Sequence, residues 1–574
     1  MMIDRHNLQQ RPVDETDLAQ LLRQGVPPVL ARLYAARGVH DLGQLDDRLT
    51  GLAHWDRLLG IQAAASRLAD AVMTQQRVTV IADYDADGAT ACAVAVRGLR
   101  LLGLQAEFLV PNRFVHGYGL TPEIVRLAAA GMPELLLTVD NGIASVEGVA
   151  EASRLGMEVI VTDHHLPGEQ LPACIIVNPN QPGCSFPSRH LAGVGVMFYV
   201  LLATRAELKS RGWFAGELPN LATLLDLVAL GTVADVVRLD DNNRILVGQG
   251  LQRIRTGRAC TGIRALFDIA GRPVGQAGAA DLGFSIGPRL NAAGRLDDMT
   301  LGIQCLLTDD EREARVIAQQ LQSLNDERRL IEDQMRGEAL SRLPEPGQLS
   351  GLSLVMSDPA WHAGVTGILA SRLKDRFHRP TICFAPAGEQ ELRGSGRSVR
   401  ALHLRDALAL VASRHPDLML RFGGHAAAAG VSIPAGRLDE FALAFEQALR
   451  EMVSEEELQP QLYHDGELEG PNLSVVLAAD LASQVWGQGF PPPVFSGCFE
   501  VVSQRVLKDR HLKLVLALDG CRLDAILFNQ ADCLPDRIFA LYQVDLNRYN
   551  ERNSVQLRIE GWCAAPDRNA PSFL

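Results

Sequence analysis

Several features that define particular classes of protein are missing from this sequence. The 10 cysteines are scattered singly without a C-x-x-C pair, which argues against a zinc site or a disulfide framework and favours a reducing compartment. Residues 1–15 are polar and contain no apolar core of a signal peptide. The longest apolar run, 221–234, is interrupted by Asp226 and is too short to cross a bilayer. The sequence therefore predicts a cytoplasmic protein without membrane attachment.

The chain also lacks an excess of positive charge. It has 55 lysines and arginines against 68 aspartates and glutamates, which gives a net charge of −13. This balance argues against indiscriminate coating of nucleic acid, but it is compatible with a local basic groove. With 574 residues, of which 47% are hydrophobic and 21% charged, the chain has an ordinary globular composition and is too long for one core. We expect about two to four domains.

The most informative stretch is 78–90, V-T-V-I-A-D-Y-D-A-D-G-A-T. Its first four residues are apolar or β-branched and predict a buried parallel strand. Asp83, Asp85 and Asp87 follow at alternating positions, at the strand end where open α/β sheets bind ligands. Three neighbouring acids repel one another, and a divalent cation would neutralise them. Taken alone, the stretch also fits a polar turn with capping aspartates.

Strand and helix patterns alternate from about residue 76 to 180, which predicts a doubly wound parallel sheet. The predicted strands are 78–82, 106–110, 135–139, 157–162 and 174–178. Asp140 follows one of them, Asp163-His164-His165 follows another, and Asp235 ends the apolar segment 224–233. Four elements that end in acid or imidazole are hard to attribute to capping, so we predict a metal site. Such ligands suit Mn²⁺ or Mg²⁺, and the number of acids favours two ions.

These four motifs, D-Y-D-A-D-G, V-D-N-G, D-H-H and G-T-V-A-D, resemble those of the DHH phosphoesterase superfamily. Their spacing and flanks are most similar to its RecJ family, bacterial 5′→3′ exonucleases specific for single-stranded DNA, and the resemblance covers roughly residues 50–565. It implies a set of metal ligands: Asp85, Asp87, Asp140, His164 and Asp235. It implies that His165 faces the scissile phosphate, and it leaves open whether Asp83 contacts an ion directly. Ile81 stands where many relatives in the wider superfamily have a histidine.

Two further stretches are candidates for contact with phosphate. Arg113 lies in the glycine-containing segment 111–120, which could equally be a loop shaped by its glycines. The segment 285–295 offers Arg289, Asn291 and Arg295 among small residues, which predicts a tight phosphate-binding loop. This second segment also resembles a RecJ-family motif, and Arg289 is then expected to assist catalysis together with His165 and Asp83.

A long helix over 308–343 is predicted to lead into a smaller α/β module. Six arginines against two aspartates between residues 393 and 425 suggest the footprint of a phosphodiester. Glycine next to histidine at 423–425 would expose backbone N–H groups beside an imidazole. The module resembles the DHHA1 domain that follows DHH domains. The predicted substrate contacts are Ser395, Arg397, Gly424 and His425.

The end of the chain is β-rich, with five short strands predicted from about residue 495 onward. Five strands at the end of a nuclease predict an OB-like barrel that binds single strands. The candidate stacking residues are Phe495, Phe528, Tyr542 and Tyr549, of which we expect at least half to be core. Phe490, in the segment before the barrel, departs from the family pattern, which has asparagine there.

The predicted fold is thus α/β: a parallel-sheet DHH domain, joined by a long helix to a smaller DHHA1 domain, with an OB-like C-terminal barrel. The predicted boundaries are 1–75 for a helical lead-in, 76–305 for the DHH domain, 306–345 for the connecting helix, 346–455 for DHHA1 and 456–574 for linker and barrel.

The predicted function is metal-dependent 5′→3′ hydrolysis of single-stranded DNA to 5′-mononucleotides in repair and recombination. One alternative is a DHH phosphodiesterase for short oligonucleotides or cyclic dinucleotides, and another is a non-catalytic replication scaffold. We expect a monomer. Single-strand-binding protein and a helicase are candidate partners for which the sequence identifies no docking surface.

Overall fold

The computed structural model describes residues 3, 7–112, 116–345, 348–549 and 552–565. These residues form two compact units. The first unit contains the described residues up to Gln322 and those from Leu462 onward, and the second is Ser323–Gln461. No described helix is long and apolar enough to cross a membrane.

The N-terminal segment is largely helical, as predicted, but it begins with a short strand. Its elements are β1 (Leu8–Gln10), α1 (Glu15–Arg23), α2 (Pro28–Ala35) and α3 (Ile61–Thr74). Asp14 caps α1 by accepting hydrogen bonds from the backbone N–H groups of Thr16 and Asp17. β1 pairs in parallel with β12 (Leu462–His464), a contact between residues about 450 positions apart that local patterns could not predict.

The large sheet of the first unit has the predicted parallel topology. Its strands are β2 (Val78–Ala82), β3 (Ala106–Leu109), β4 (Leu135–Val139), β5 (Glu158–Thr162) and β6 (Ile175–Val177), in the order β3-β2-β4-β5-β6. Every residue of the central strands β2 and β4 is buried, which explains their uninterrupted apolar sequences. The helices between the strands are α4 (Ala86–Leu102), α5 (Pro122–Ala129) and α6 (Val146–Arg154). The carboxyl ends of β2, β4 and β5 meet at one edge of the sheet.

A helical region completes the first part of this unit. Its helices are α7 (Gly193–Ser210), α8 (Leu225–Ala234), α9 (Asp241–Arg255), α10 (Thr261–Ile269), α11 (Ala279–Asp281), α12 (Gly287–Leu296) and α13 (Thr300–Leu307). A π-helical turn, Leu282–Ile286, runs directly into α12. The prediction of a tight loop over 285–295 is therefore wrong, because glycines that suggested a turn instead allow close helix packing: a Cβ on Gly294 would lie 1.9 Å from the carbonyl oxygen of Tyr84.

The predicted long helix is α14 (Glu311–Ser341), and the boundary between the two units falls within it. The second unit contains β7 (Leu354–Ser357), α15 (Thr366–Phe377), β8 (Thr381–Pro386), β9 (Glu391–Arg397), α16 (Leu404–Arg414), β10 (Arg421–Gly424), β11 (Ala428–Pro434) and α17 (Leu438–Met452). Its sheet has the order β10-β11-β9-β8-β7. Its core includes the edge-to-face pair Phe384 and Phe441, with ring centroids 5.4 Å apart.

The first unit ends with the predicted five-stranded barrel. After β12 come α18 (Val475–Ser483), β13 (Phe495–Leu507), β14 (His511–Leu518), β15 (Cys521–Leu527), β16 (Arg537–Tyr549) and β17 (Arg552–Ala564). The barrel closes in the order β13-β14-β15-β17-β16. Phe495 and Tyr542 are fully buried in it, which makes them core residues, whereas Phe528 is 46% exposed. Short 3₁₀ turns occur at Leu42–Leu45, Leu49–Gly51, Trp55–Arg57, Leu221–Leu224, Val274–Gln276, Ala435–Arg437 and Gly470–Asn472.

Candidate metal centre

The loop from β2 into α4 presents the first acidic motif. Asp85 caps α4, and its carboxylate accepts hydrogen bonds from the N–H groups of Asp87 at 2.9 Å and Gly88 at 3.0 Å. The Asp87 carboxylate accepts hydrogen bonds from the N–H groups of Gly193 at 2.6 Å and Val194 at 3.0 Å, at the start of α7. Two helix N-termini therefore hold this pair of acids in place, as the positive end of a helix favours negative charge.

The second motif contributes Asp140 directly after β4. Asp140 has a φ of +62°, which a non-glycine residue rarely adopts, and its side chain is buried. A Cβ on Gly193 would lie 2.5 Å from the Asp140 carboxylate, so only glycine allows α7 to approach this closely.

The third and fourth motifs meet these acids through His164. Its Nε2 lies 3.1 Å from Oδ1 of Asp140, 3.5 Å from Oδ2 of Asp235 and 4.0 Å from Oδ2 of Asp87. Asp235 comes from the C-terminal end of α8, so helix as well as strand ends contribute to the cluster. The structure thus brings together the ligands that the sequence predicted: Asp85, Asp87, Asp140, His164 and Asp235.

His165 has a different environment from its neighbour. Its Nδ1 lies 2.7 Å from Oδ1 of Asp163, and the same oxygen accepts hydrogen bonds from the backbone N–H groups of both histidines. The other oxygen of Asp163 accepts from the N–H of Ile143 at 2.9 Å. The hydroxyl of Tyr118 is 3.3 Å from Nε2 of His165. Asp163 therefore fixes the orientation of the His165 ring.

Electrostatics separate the two histidines further. Burial, with the charge of His165, lowers the pKa of His164, which favours its neutral form. Burial also lowers the pKa of His165, but the hydrogen bond and charge of Asp163 outweigh it and raise that pKa to about 9. Burial raises the pKa of Asp163, but the hydrogen bond and charge of His165, the charge of His164 and the N–H of Ile143 together outweigh it and lower that pKa. His164 is thus suited to bind a metal ion, and His165 to carry a positive charge.

Without ions the acids destabilise one another. Burial and the charge of Asp235 raise the pKa of Asp87 to about 7, and burial and Asp85 raise that of Asp235 to about 8. Burial and the charges of Asp87 and Asp85 raise the pKa of Asp140 well above its usual range. Such mutual repulsion favours binding of a cation that neutralises the cluster.

The donor set fits divalent ions on geometric grounds as well. Three overlapping groups have ligand atoms within 4.8 Å of one another: Asp140–His164–His165, Asp87–His164–Asp235 and Asp83–Asp85–Asp140. Oδ1 of Asp140 and Nε2 of His164 are buried and lie 3.1 Å apart, but among the described residues neither atom has a hydrogen-bond partner. Buried polar atoms are normally satisfied, so these two atoms are candidates for neighbouring ligands of one ion. Asp140 and His164 each belong to two groups, which fits a pair of ions.

The residues predicted to bind phosphate near this centre have other visible contacts. The side-chain oxygen of Asn291 accepts a hydrogen bond from the N–H of Ala86 at 2.8 Å and so holds the start of α4. Arg289 is buried on α12 and donates hydrogen bonds to Gln322 and Ser285. Arg295 is partly exposed on the same helix. Arg113 lies outside the described residues.

The predicted substrate contacts of the second unit cluster around β9 and β10. The hydroxyl of Thr366 donates to that of Ser395 at 3.2 Å, and the guanidinium of Arg397 lies against Gly367 in the first turn of α15. Gly424 has a φ of +137° at the turn into His425.

The arginine excess of this unit is smaller than the sequence suggested. Arg414 pairs with Glu451 at 2.6 Å and Arg421 with Glu391 at 2.8 Å, so two of the six arginines are neutralised by acids outside the counted window.

Sequence reasoning missed the roles of Asp163 and Tyr118. The sequence showed Asp163 only as part of a motif. Its role is to orient His165, and this depends on the contact between its carboxylate and Nδ1 of His165, which only the structure reveals. Tyr118, in the glycine-containing segment 111–120, was a candidate for contact with phosphate or base, and nothing in that segment indicated that its hydroxyl lies beside His165. The sequence signal for the role of Asp163 is its position directly before two histidines.

Comparison with known proteins places these motifs in one family. Residues 77–232 match the DHH family, N-terminal domain; residues 350–451 match the DHHA1 domain; and residues 464–561 match the RecJ OB domain. The chain is 50% identical to the single-stranded-DNA-specific exonuclease RecJ of Dickeya dadantii over 96% of this chain and 98% of that protein.

Solved structures show the same likeness. The crystal structure of RecJ from Thermus thermophilus in complex with Mn²⁺ has a TM-score of 0.82 at 29% identity and covers 98% of this chain and 80% of that one. The structure of RecJ from the same organism in complex with Mg²⁺ has a TM-score of 0.76 at 28% identity, and the match covers 98% of this chain and 79% of that one. Because the chain is 50% identical to the RecJ of Dickeya dadantii over nearly the whole length of both proteins, it belongs to the RecJ family.

Proposed function

We propose that the protein is a metal-dependent exonuclease that hydrolyses single-stranded DNA in the 5′→3′ direction and releases 5′-mononucleotides. The observation that carries this proposal is the acidic cluster around His164, with its two unsatisfied buried atoms on Asp140 and His164. The similarity to RecJ structures in complex with Mn²⁺ and Mg²⁺ supports these ions as cofactors.

Each residue of the centre has a proposed role. Five residues hold two ions: Asp85, Asp87, Asp140, His164 and Asp235. Bound ions supply an activated water and neutralise charge that develops on the phosphate. Asp83 is buried beside this set, and its proposed role is catalytic support. His165, positively charged because of Asp163, stabilises the negative charge of the transition state. Arg289 assists it.

The proposed substrate contacts outside the centre follow from charge and backbone geometry. Positively charged or N–H-rich groups bind phosphates along the strand. In the first unit these are Arg113, Asn291 and Arg295. In the second unit they are Ser395, Arg397, Gly424 and His425.

A long DNA substrate is favoured over a dinucleotide by the C-terminal barrel. This region matches the RecJ OB domain, and OB folds bind single strands by stacking bases on exposed aromatic side chains. Phe528 is such a side chain. A non-catalytic scaffold would not need the complete ligand set that the sequence retains.

The domain boundaries and the cellular setting belong to the same proposal. We assign residues 1–75 to the lead-in, 76–305 to the DHH domain, 306–345 to the connecting helix, 346–455 to DHHA1 and 456–574 to linker and barrel. The protein acts as a cytoplasmic monomer in repair and recombination, where a helicase and single-strand-binding protein supply and organise the substrate.

Digestion of 5′- and 3′-labelled strands tests the proposed function. With Mn²⁺, single strands should be degraded from the 5′ end to mononucleotides, while duplex of the same sequence should persist. Asp140→Asn serves as the inactive control. If dinucleotides are cleaved and long strands are not, the small-substrate alternative is correct instead.

A further inference from the structure

The π-helical turn Leu282–Ile286 displays an aromatic side chain that contributes nothing to the core. Leu282 and Ile286 are fully buried, whereas Phe284 between them is 83% exposed. Burying a phenylalanine normally stabilises a fold by about 1.5–3 kcal/mol, and this residue forgoes that gain. Single π-helical turns occur frequently at functional sites.

This turn lies against the part of the chain that carries a proposed metal ligand. A Cβ on Gly283 would be 3.3 Å from Cγ1 of Val233, and one on Gly287 would be 3.1 Å from the Cβ of Ala234. Val233 and Ala234 form the last turn of α8, directly before the predicted ligand Asp235. The turn that carries the exposed Phe284 therefore packs against the backbone that positions this ligand.

Val236, the next residue after Asp235, shows a second unusual feature at this end of α8. It has a φ of +61° and is 64% exposed. A left-handed backbone is costly for an L-residue and especially for a β-branched one, and no burial offsets that cost here. Two exposed apolar side chains thus flank the last turn of α8, one of them on a strained backbone. Strain of this kind occurs where function requires a side chain.

From this geometry we infer that Phe284 stacks on a nucleobase of the single strand next to the cleaved phosphodiester, with Val236 in contact with the same nucleotide. This inference rests on the proposed function and identifies how the site holds its substrate. A strand whose phosphate reaches the ions presents its bases to the side of the backbone, where an exposed ring can stack on any of the four bases. Stacking without hydrogen-bond readout suits an enzyme that must degrade every sequence.

The test measures KM and kcat for the full-length protein with Mn²⁺ on two short single strands. One strand has normal bases, and in the other the nucleotides that flank the cleaved bond are abasic. For Phe284→Ala we expect KM on the normal strand to rise about 5- to 150-fold, as for loss of one stacked base, with little change on the abasic strand. Phe284→Trp should restore the wild-type KM. Leu127→Ala, at an exposed position on α5, is the control and should match wild type.

Three results would overturn the inference. They are an unchanged KM for Phe284→Ala on the normal strand, an equal loss on both strands, and a loss of calorimetric Mn²⁺ binding in this variant. Failure of the proposed function is distinguishable, because wild-type protein would then leave single strands intact. Misfolding is excluded by the thermal transition, which should not change for a side chain so exposed.

Discussion

At the scale of single residues, the adjacent histidines are expected to perform separate tasks. His164→Ala should lose both Mn²⁺ binding and turnover, because Nε2 of His164 faces the carboxylates of Asp140 and Asp235. His165→Ala should keep Mn²⁺ affinity but lose turnover, because its ring is held by Asp163. Calorimetric titration with Mn²⁺ and a nuclease assay measure the two properties. Equal loss of metal binding in both variants would contradict this division.

The raised pKa values of the acids predict an unusual pH dependence for the metal-free protein. Asp87 and Asp235, with pKa values of about 7 and 8, hold protons in the folded state that the unfolded chain has already released. Stability conferred by a raised pKa is present at low pH and lost as pH rises through the folded value. The free energy of unfolding should therefore fall as pH rises from about 4 to the folded pKa values of about 7 and 8, by roughly 1.4 kcal/mol per pH unit for each of the two carboxyls that still holds its proton.

Thermal melts in EDTA and in saturating Mn²⁺ test this dependence. Because the ion competes with these protons, the stabilisation by Mn²⁺ should increase with pH. Asp235→Asn should reduce the slope in EDTA. A metal-free melting temperature that does not fall between about pH 5 and 7 would be inconsistent with a repulsive cluster.

At the scale of secondary-structure elements, a substitution that relieves the backbone strain at Val236 should stabilise the end of α8. Val236→Asn is expected to raise the free energy of unfolding by about 1 kcal/mol, because asparagine tolerates a left-handed backbone. If Val236 contacts the nucleotide, the same change should raise KM for single-stranded DNA.

Met132→Asn provides the matched control for this change. Met132 has a φ of +49° and is 63% exposed, but it precedes β4 and so lies at the opposite edge of the sheet from the metal centre. It should gain stability without a change in KM. A Val236→Asn protein that is less stable than wild type would show that the valine is held by packing and not strained.

The elements also show what the sequence could and could not predict. The bounds of β2 and β4 were predicted to the residue, because fully buried parallel strands have continuous apolar sequences. β9 was not predicted as a strand, because its alternating glycine, serine and arginine resemble a loop. The helical nature of 285–295 was missed for a similar reason: its glycines are required by close packing on Tyr84, which only the tertiary structure reveals.

At the scale of the whole molecule, a buried ion pair fixes the linker to the N-terminal segment. Arg37 donates two hydrogen bonds to the carboxylate of Asp465, at 2.9 and 3.0 Å, and both side chains are 1% exposed. Asp465→Ala should destabilise the first unit by about 3–5 kcal/mol, because it leaves a buried guanidinium without its partner. Glu451→Ala, which breaks the exposed pair with Arg414, should cost less than about 1 kcal/mol. Urea melts of both variants measure the difference, and equal costs would argue against an anchoring role.

Phe490 takes part in the same attachment. Its contacts account for a phenylalanine at this position, where the family pattern has asparagine. It is 5% exposed, stacks on Trp486 with ring centroids 5.2 Å apart, and carries the guanidinium of Arg244 at 4.2 Å from its ring centroid. An aromatic residue at this position thus packs the linker onto α9, and its contribution is to stability through stacking and cation–π contact. The linker thus joins the barrel to the rest of the first unit.

The barrel and the metal centre belong to the same compact unit, so the length of the DNA is expected to decide which variants weaken binding. Phe528 is the exposed aromatic among the predicted stacking residues whose side chains the structure describes, since Phe495 and Tyr542 are buried. Phe528→Ala should weaken binding of a long strand by about 1–3 kcal/mol and leave a very short strand unaffected, because a short strand does not reach the barrel. Val502→Ala, also exposed on the barrel, should bind both lengths as wild type does. Fluorescence anisotropy with strands of both lengths at one salt concentration measures this, since salt alone changes affinity. An equal loss on both lengths would mean that Phe528 supports the barrel and does not extend the DNA-binding site.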